Sequence, residues 1–177
     1  DGRLYAGTDR QGVFVSDNLG DTWVGYSQGL SGLGSLVVVE LIVLGDSLYA
    51  ATEGGGPWVR NLHSGPWIHF GNQVDGNMQG IAAGGSRLFA LAGFNGVEWV
   101  RDPGQPDWTF TLLFNDRFAA GLAGLSAIWT GRRWVVGSNI GIFHSATGQE
   151  PWTYVDFGIH PTLFFGFAMH DGDLYAS

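Results

Sequence analysis

The chain has 177 residues, a formal net charge of −8, eight arginines, and neither lysine nor cysteine. Sixteen acids against eight arginines, with Arg132-Arg133 as the one adjacent basic pair, exclude an electrostatic nucleic-acid binder. The lack of cysteine excludes disulfides, thiolate metal sites and a cysteine nucleophile, and no apolar run approaches the roughly 18 residues of a membrane span.

In chain order, the polar turn Asp1-Gly2-Arg3 leads into an apolar segment, Leu4-Tyr5-Ala6-Gly7-Thr8. A second segment, from Gly12 to Ser16, carries Phe14, and a third begins at Trp23. The run from Leu36 to Leu44 is apolar apart from Glu40 and reads as a strand buried on both faces. The same order then returns. The turn Gly45-Asp46-Ser47 precedes Leu48-Tyr49-Ala50-Ala51-Thr52, followed by Trp58 and Trp67. A third pass runs through Gly80 to Ala83, Leu88 to Ala92, Trp99 and Trp108. A fourth runs through Leu122 to Ile128, Trp134 to Ser138, Phe143 and Trp152. The chain ends on Phe164 to Met169 and Leu174-Tyr175-Ala176-Ser177.

Trp23, Trp67, Trp108 and Trp152 thus recur every 41 to 44 residues, each closing one copy of a module. Each copy reads as four short strands: A, the aliphatic or small-residue run; B, the Leu-Tyr-Ala segment; C, the segment with the aromatic; and D, starting at the spaced Trp. No stretch keeps a helical period with caps at both ends. Four strands repeated at this period are the blade of a β-propeller. The expected fold is therefore all-β: a propeller with four blade equivalents in a single domain 1–177, with repeats near 1–35, 36–76, 77–118 and 119–162 and a partial copy at 163–177. Small residues suit the crowded inner strands, and aromatic rings suit the widening gaps between outer strands. Both ends of the chain fall at the same point of the repeat. Either four blades close a ring or the chain is part of a longer propeller, and the duplicated Leu-Tyr-Ala favours the second. Open blade edges would then invite self-association.

The first module contains Ser16-Asp17-Asn18-Leu19-Gly20-Asp21-Thr22-Trp23. This resembles the Asp-box, or BNR repeat, Ser-x-Asp-x-Gly-x-Thr-Trp, with Asn18 in place of the Asp. The flanking strand phrases are similar to those of sialidase-like propellers. The other modules keep the Trp and parts of the turn. In such a box Ser16, Asn18, Gly20, Thr22 and Trp23 are expected to shape a tight C–D hairpin, with Trp23 packed back between sheets. The resemblance implies a family spanning sialidases, xyloglucan-cleaving glycosidases, sortilin-type receptors and photosystem assembly factors, so it does not select one function. Sialidases carry an Arg-Ile-Pro segment. No arginine here is followed by Ile or Pro, so sialidase activity is not expected.

The resemblance further implies ligand binding at the mouth formed by the B–C and D–A loops. The candidate ligand-binding residues there are Asp9, Arg10, Glu53, Phe94, Asn95, Arg117, Asn139 and His160. Asp9 and Glu53 hold equivalent places in successive blades. They read either as solvated loop charges or, if about 5 to 10 Å apart, as a glycosidase acid/base pair. Phe94, between Gly93 and Asn95, reads either as a sugar-stacking ring or as an aromatic folded over a blade edge. The five histidines show no metal-ligand spacing, so no metal and no cofactor are expected. Gly54-Gly55-Gly56 is followed by Pro57-Trp58 rather than by Lys-Ser/Thr, so it is not a phosphate loop. The expected function is non-catalytic binding of a glycan or a protein partner, outside the cytoplasm. The alternatives are a glycoside hydrolase, whole or in part, and a structural or assembly role on a larger complex.

Overall fold

The computed structural model describes residues 2–71, 74, 76–92, 97–103, 105, 107–112, 124–155 and 164–177. Its strands, in chain order, are β1 (Leu4–Thr8), β2 (Gly12–Ser16), β3 (Val24–Gly25), β4 (Val38–Leu44), β5 (Ser47–Thr52), β6 (Gly56–Asn61), β7 (Ile68–His69), β8 (Met78–Gly84) and β9 (Arg87–Ala92). They continue with β10 (Val97–Arg101), β11 (Thr109–Leu112), β12 (Gly124–Trp129), β13 (Trp134–Ser138), β14 (Ile142–Ser145), β15 (Thr153–Val155), β16 (Phe167–His170) and β17 (Asp173–Ala176). A 3₁₀ turn, Gly34–Leu36, precedes β4.

Every sheet is an antiparallel meander. Three have four strands in the order A-B-C-D: β4 to β7, β8 to β11 and β12 to β15. The first sheet holds β1, β2 and β3, equivalent to B, C and D, and the last holds β16 and β17, equivalent to A and B. The strand boundaries follow the repeat columns. β1, β2 and β13 begin and end where the sequence places them, and each D strand begins one residue after its spaced Trp. The chain divides into two compact units, Asp1–Met78 and Gln79–Ser177.

In unit 1, Val13, Leu48, Ala50, Trp58 and Trp67 are buried together, with Tyr5, Tyr26, Leu41 and Leu62 packed against them. In unit 2, Phe89, Leu91, Val100, Trp134, Val136 and Phe143 form the core, flanked by Trp129 and Trp152. Two expectations need correction. β4 is an edge strand paired only with β5, and it is not buried on both faces: Val39 and Val43 are 44% and 52% exposed. Its predicted first residue, Leu36, closes the 3₁₀ turn instead. Trp23 does not pack between sheets either, being 41% exposed, whereas Trp67 and Trp108 are buried. The reason lies in what each indole packs on. Trp67 donates its indole N–H to the Tyr26 carbonyl of the preceding sheet (2.6 Å), and Trp152 donates to Thr111 Oγ1 of the sheet before it (3.1 Å). Trp23, in the sheet of β1 to β3, makes no such indole hydrogen bond to another sheet among the described residues.

Candidate functional site

The loops between strands B and C are built by a side-chain clamp at the end of B. Thr8 Oγ1 donates to the Gly12 carbonyl (2.8 Å), Thr52 Oγ1 to Gly56 (2.7 Å) and Ser138 Oγ to Gly141 (2.9 Å). In the first loop Gln11 N–H also donates back to Thr8 Oγ1 (3.2 Å). Each hydroxyl thus adds a side-chain bond to a carbonyl at the end of the loop, and the Gly141 carbonyl also accepts the Ser138 N–H (2.9 Å). The glycine ending each loop has positive φ: 74° at Gly12, 66° at Gly56 and 148° at Gly141. These clamps present Asp9-Arg10, Glu53 and Asn139 at equivalent loop positions. The sequence reading missed them, although the spacing Thr8…Gly12 and Thr52…Gly56 was there to be found.

In unit 1, a cleft of about 520 Å³ opens among two B–C loops and two D–A loops. Asp9 and Arg10 come from the first B–C loop, Glu53 from the second, Leu33, Gly34, Leu36 and Val37 from the segment between β3 and β4, and Asn77 from the segment before β8. Its base is fixed by backbone pairing. Glu53 N–H donates to the Val37 carbonyl (2.9 Å), Gly54 N–H to the Gly76 carbonyl (3.2 Å), and Glu53 and Asn77 form an antiparallel bridge. Gly34 must be glycine here, since a Cβ would lie 2.7 Å from the Glu53 carbonyl oxygen. Arg10 adopts φ 75°, a left-handed conformation that disfavours a side chain. Asp9 and Arg10 form an ion pair at 3.5 Å with both side chains mostly in water, 77% and 83% exposed. Such a pair adds little to stability.

Three of the eight expected site residues, Asp9, Arg10 and Glu53, therefore meet in one cleft. Leu33, Leu36 and Asn77 join them without having been singled out beforehand. Asn139 is half-buried in the B–C loop of the β12 to β15 sheet, in unit 2, and does not line this cleft. Phe94, Asn95, Arg117 and His160 lie outside the described residues. Among the described residues, no three His, Asp or Glu side chains converge as metal ligands would.

The Asp-box positions are occupied by a local hydrogen-bond network. Ser16 Oγ donates to Asn18 Oδ1 (2.9 Å) and accepts from Gly20 N–H (2.9 Å), while Asn18 Oδ1 accepts from Thr22 N–H (2.9 Å). Asn18 Nδ2 donates to Thr22 Oγ1 (2.9 Å). The side chains of Ser16, Asn18 and Thr22 are thus bonded within the hairpin, while Asp17 pairs outside it with Arg3 at 2.7 Å.

No family model and no curated protein matches the chain. Solved structures do. An ancestral GH74 enzyme superposes with a TM-score of 0.76 at 19% identity, over 99% of this chain and 25% of its own. The extracellular domain of a one-component system from B. thetaiotaomicron gives 0.76 at 19% identity, over 99% of this chain and 23% of its own. YCF48 bound to D1 peptide gives 0.74 at 16% identity, over 99% and 57%. The chain spans about a quarter of the length of the first two. At these identities the likeness is one of fold. The chain is an all-β protein with the blades of a β-propeller, in four blade equivalents.

Proposed function

We propose that this chain is a propeller segment that binds a glycan or a protein partner on its B–C and D–A loops without catalysing a reaction on it. The observation that carries this reading is the unit 1 cleft: four loops converge there, and its rim mixes Asp9, Arg10, Glu53 and Asn77 with Leu33 and Leu36. Polar groups beside a few apolar ones are what a sugar or a peptide segment needs. Asp9 and Glu53 both lie open to water, whereas a carboxyl acting as general acid at neutral pH is sheltered from it. Asp9 is also engaged by Arg10. The fold shared with an extracellular domain supports an extracytoplasmic location, and no helix among the described residues is long and apolar enough to cross a membrane. The Asp-box resemblance of residues 16–23 supports placing the chain among BNR-type propellers.

A glycoside hydrolase is the second reading, because two carboxylates line one cleft and the fold is shared with a GH74 enzyme. One experiment separates the two. The full chain is screened on a glycan array that includes xyloglucan, on immobilised peptides, and for release of reducing ends. Retention of a ligand without cleavage is expected, weakened roughly tenfold by Arg10→Gly or Glu53→Gln. Arg10→Gly removes the guanidinium while suiting the φ of 75°. Cleavage abolished by Glu53→Gln would establish the hydrolase instead. Retention unchanged by both substitutions would move the site elsewhere.

A further inference from the structure

A second cleft, of about 400 Å³, lies in unit 2 at the A–B and C–D turns of the β12 to β15 sheet. In an antiparallel meander those turns share one end of the strands, and the B–C loop of the same sheet, with Asn139, lies at the other. Arg132 and Arg133 enter the cleft from the A–B turn, His144 from β14, Thr147 and Glu150 from the C–D turn, and Thr153 from β15.

Both turns are held rigidly. Thr130 Oγ1 accepts the Arg133 N–H (3.2 Å) and donates to the Arg133 carbonyl (3.0 Å), pinning the arginine turn. Ser145 Oγ accepts N–H groups from Thr147 and Gly148 (both 3.2 Å) and donates to the Gln149 carbonyl (2.6 Å). From the neighbouring sheet of the same unit, Arg87 donates to the Thr147 carbonyl while pairing with Asp102 at 2.5 Å. The charge of Arg87 is therefore matched. No ion pair among the described residues involves Arg132 or Arg133. Two arginines thus line a cleft that holds one carboxylate, Glu150, in a chain whose net charge is −8.

We propose that this cleft binds the carboxylate of a sugar acid, a hexuronate. A guanidinium offers two parallel N–H donors that match the two oxygens of a carboxylate. Glu150 on the same rim repels a dianion, which disfavours phosphate, and accepts hydrogen bonds from ring hydroxyls. Thr147 and Thr153 add hydroxyl partners for a polyol. A cleft of about 400 Å³ sits at the small end of small-molecule sites, a size suited to one sugar ring. The site uses other residues than the unit 1 cleft and does not depend on it.

The test is titration of the full chain with D-glucuronate by calorimetry and by NMR, alongside D-glucose, acetate, inorganic phosphate and a tripeptide carrying a free C-terminal carboxylate. Saturable glucuronate binding is expected, with each of the other probes at least about tenfold weaker. The Arg132→Gln/Arg133→Gln variant loses about tenfold or more. Both residues are exposed in a turn, and an unchanged near-ultraviolet circular dichroism spectrum checks that the core stays intact. Glu150→Gln retains glucuronate and raises phosphate affinity, since it removes the repulsion. The proposal is overturned if the arginine variant titrates like the parent, or if glucose, acetate or the tripeptide matches glucuronate.

Discussion

Thr8, Thr52 and Ser138 each end a B strand and bind the carbonyl of the glycine that opens the next strand or directly precedes it. The position is a fixed point from which the B–C loops are hung. Thr52 shows the energetics most clearly, because it is fully buried and its 2.7 Å bond to the Gly56 carbonyl is out of reach of water. Thr52→Val keeps the shape and removes the hydroxyl donor, while the Gly56 carbonyl keeps its ladder pairing with Thr52, so the cost is that of one buried hydrogen bond, about 1 kcal/mol. Denaturant unfolding should show that loss, with an unchanged slope against denaturant. Faster amide exchange should appear at Glu53 and Gly54, the residues the clamp presents. A Thr52→Val variant as stable as the parent would mean that the loop is held by the Glu53–Val37 and Gly54–Gly76 backbone bonds alone.

Between elements, the fourth position of the B segment recurs as a point of close approach. Gly7 in β1 faces Val38, where an added Cβ would lie 2.5 Å from Cγ1, and Gly137 in β13 faces Phe164 and Phe167, with approaches of 2.7 and 3.0 Å. In each case the A-strand side of the next sheet fills the space a side chain would take. Gly137→Ala forces that neighbour away and is expected to cost about 1–3 kcal/mol in thermal or denaturant unfolding. Gly25→Ala, where nothing lies within 4 Å of the new methyl, is the control and should be neutral or slightly stabilising. Equal losses in both would mean that backbone freedom, not packing, decides these positions.

The strands themselves were legible, because each repeat column samples the same environment several times over. Trp58, Phe143 and the B strands β5, β9 and β13 report burial independently, so chance matches are filtered out. Asp9, Arg10 and Glu53 were legible for the same reason, as equivalents across blades. The exposure of Trp23 was not, since an indole is buried only where a neighbouring sheet meets it, and a residue pattern does not show that contact. The open face of β4 follows from edge position rather than from composition. Leu33, Leu36 and Asn77 escaped notice because the segments before β4 and β8 carry no repeated signature. The arginine cleft of unit 2 escaped notice because Arg132-Arg133 reads, in sequence, as an ordinary solvated turn.

For the whole molecule, solubility is a contest between charge and uncovered apolar surface. The first sheet leaves Leu4, Trp23 and Val24 exposed at 41%, 41% and 67%. The last leaves Phe165, Leu174 and Tyr175 exposed at 67%, 38% and 53%. β1 and β17 are each hydrogen-bonded to a single neighbour, so each offers a row of backbone donors and acceptors to another strand. A net charge of −8 opposes association, but only over about 10 Å at moderate salt and less at high salt. Self-association should therefore rise with ionic strength, the opposite of what ion-pair-driven assembly would give. Sedimentation velocity across a salt series is the measurement. Placing a like charge against the edge by Leu174→Glu and Tyr175→Glu should restore the monomer at high salt, while Arg132→Gln should leave the distribution as it was. A monomer at every salt concentration, or a dimer that dissociates as salt is raised, would show that these edges are not what brings copies together.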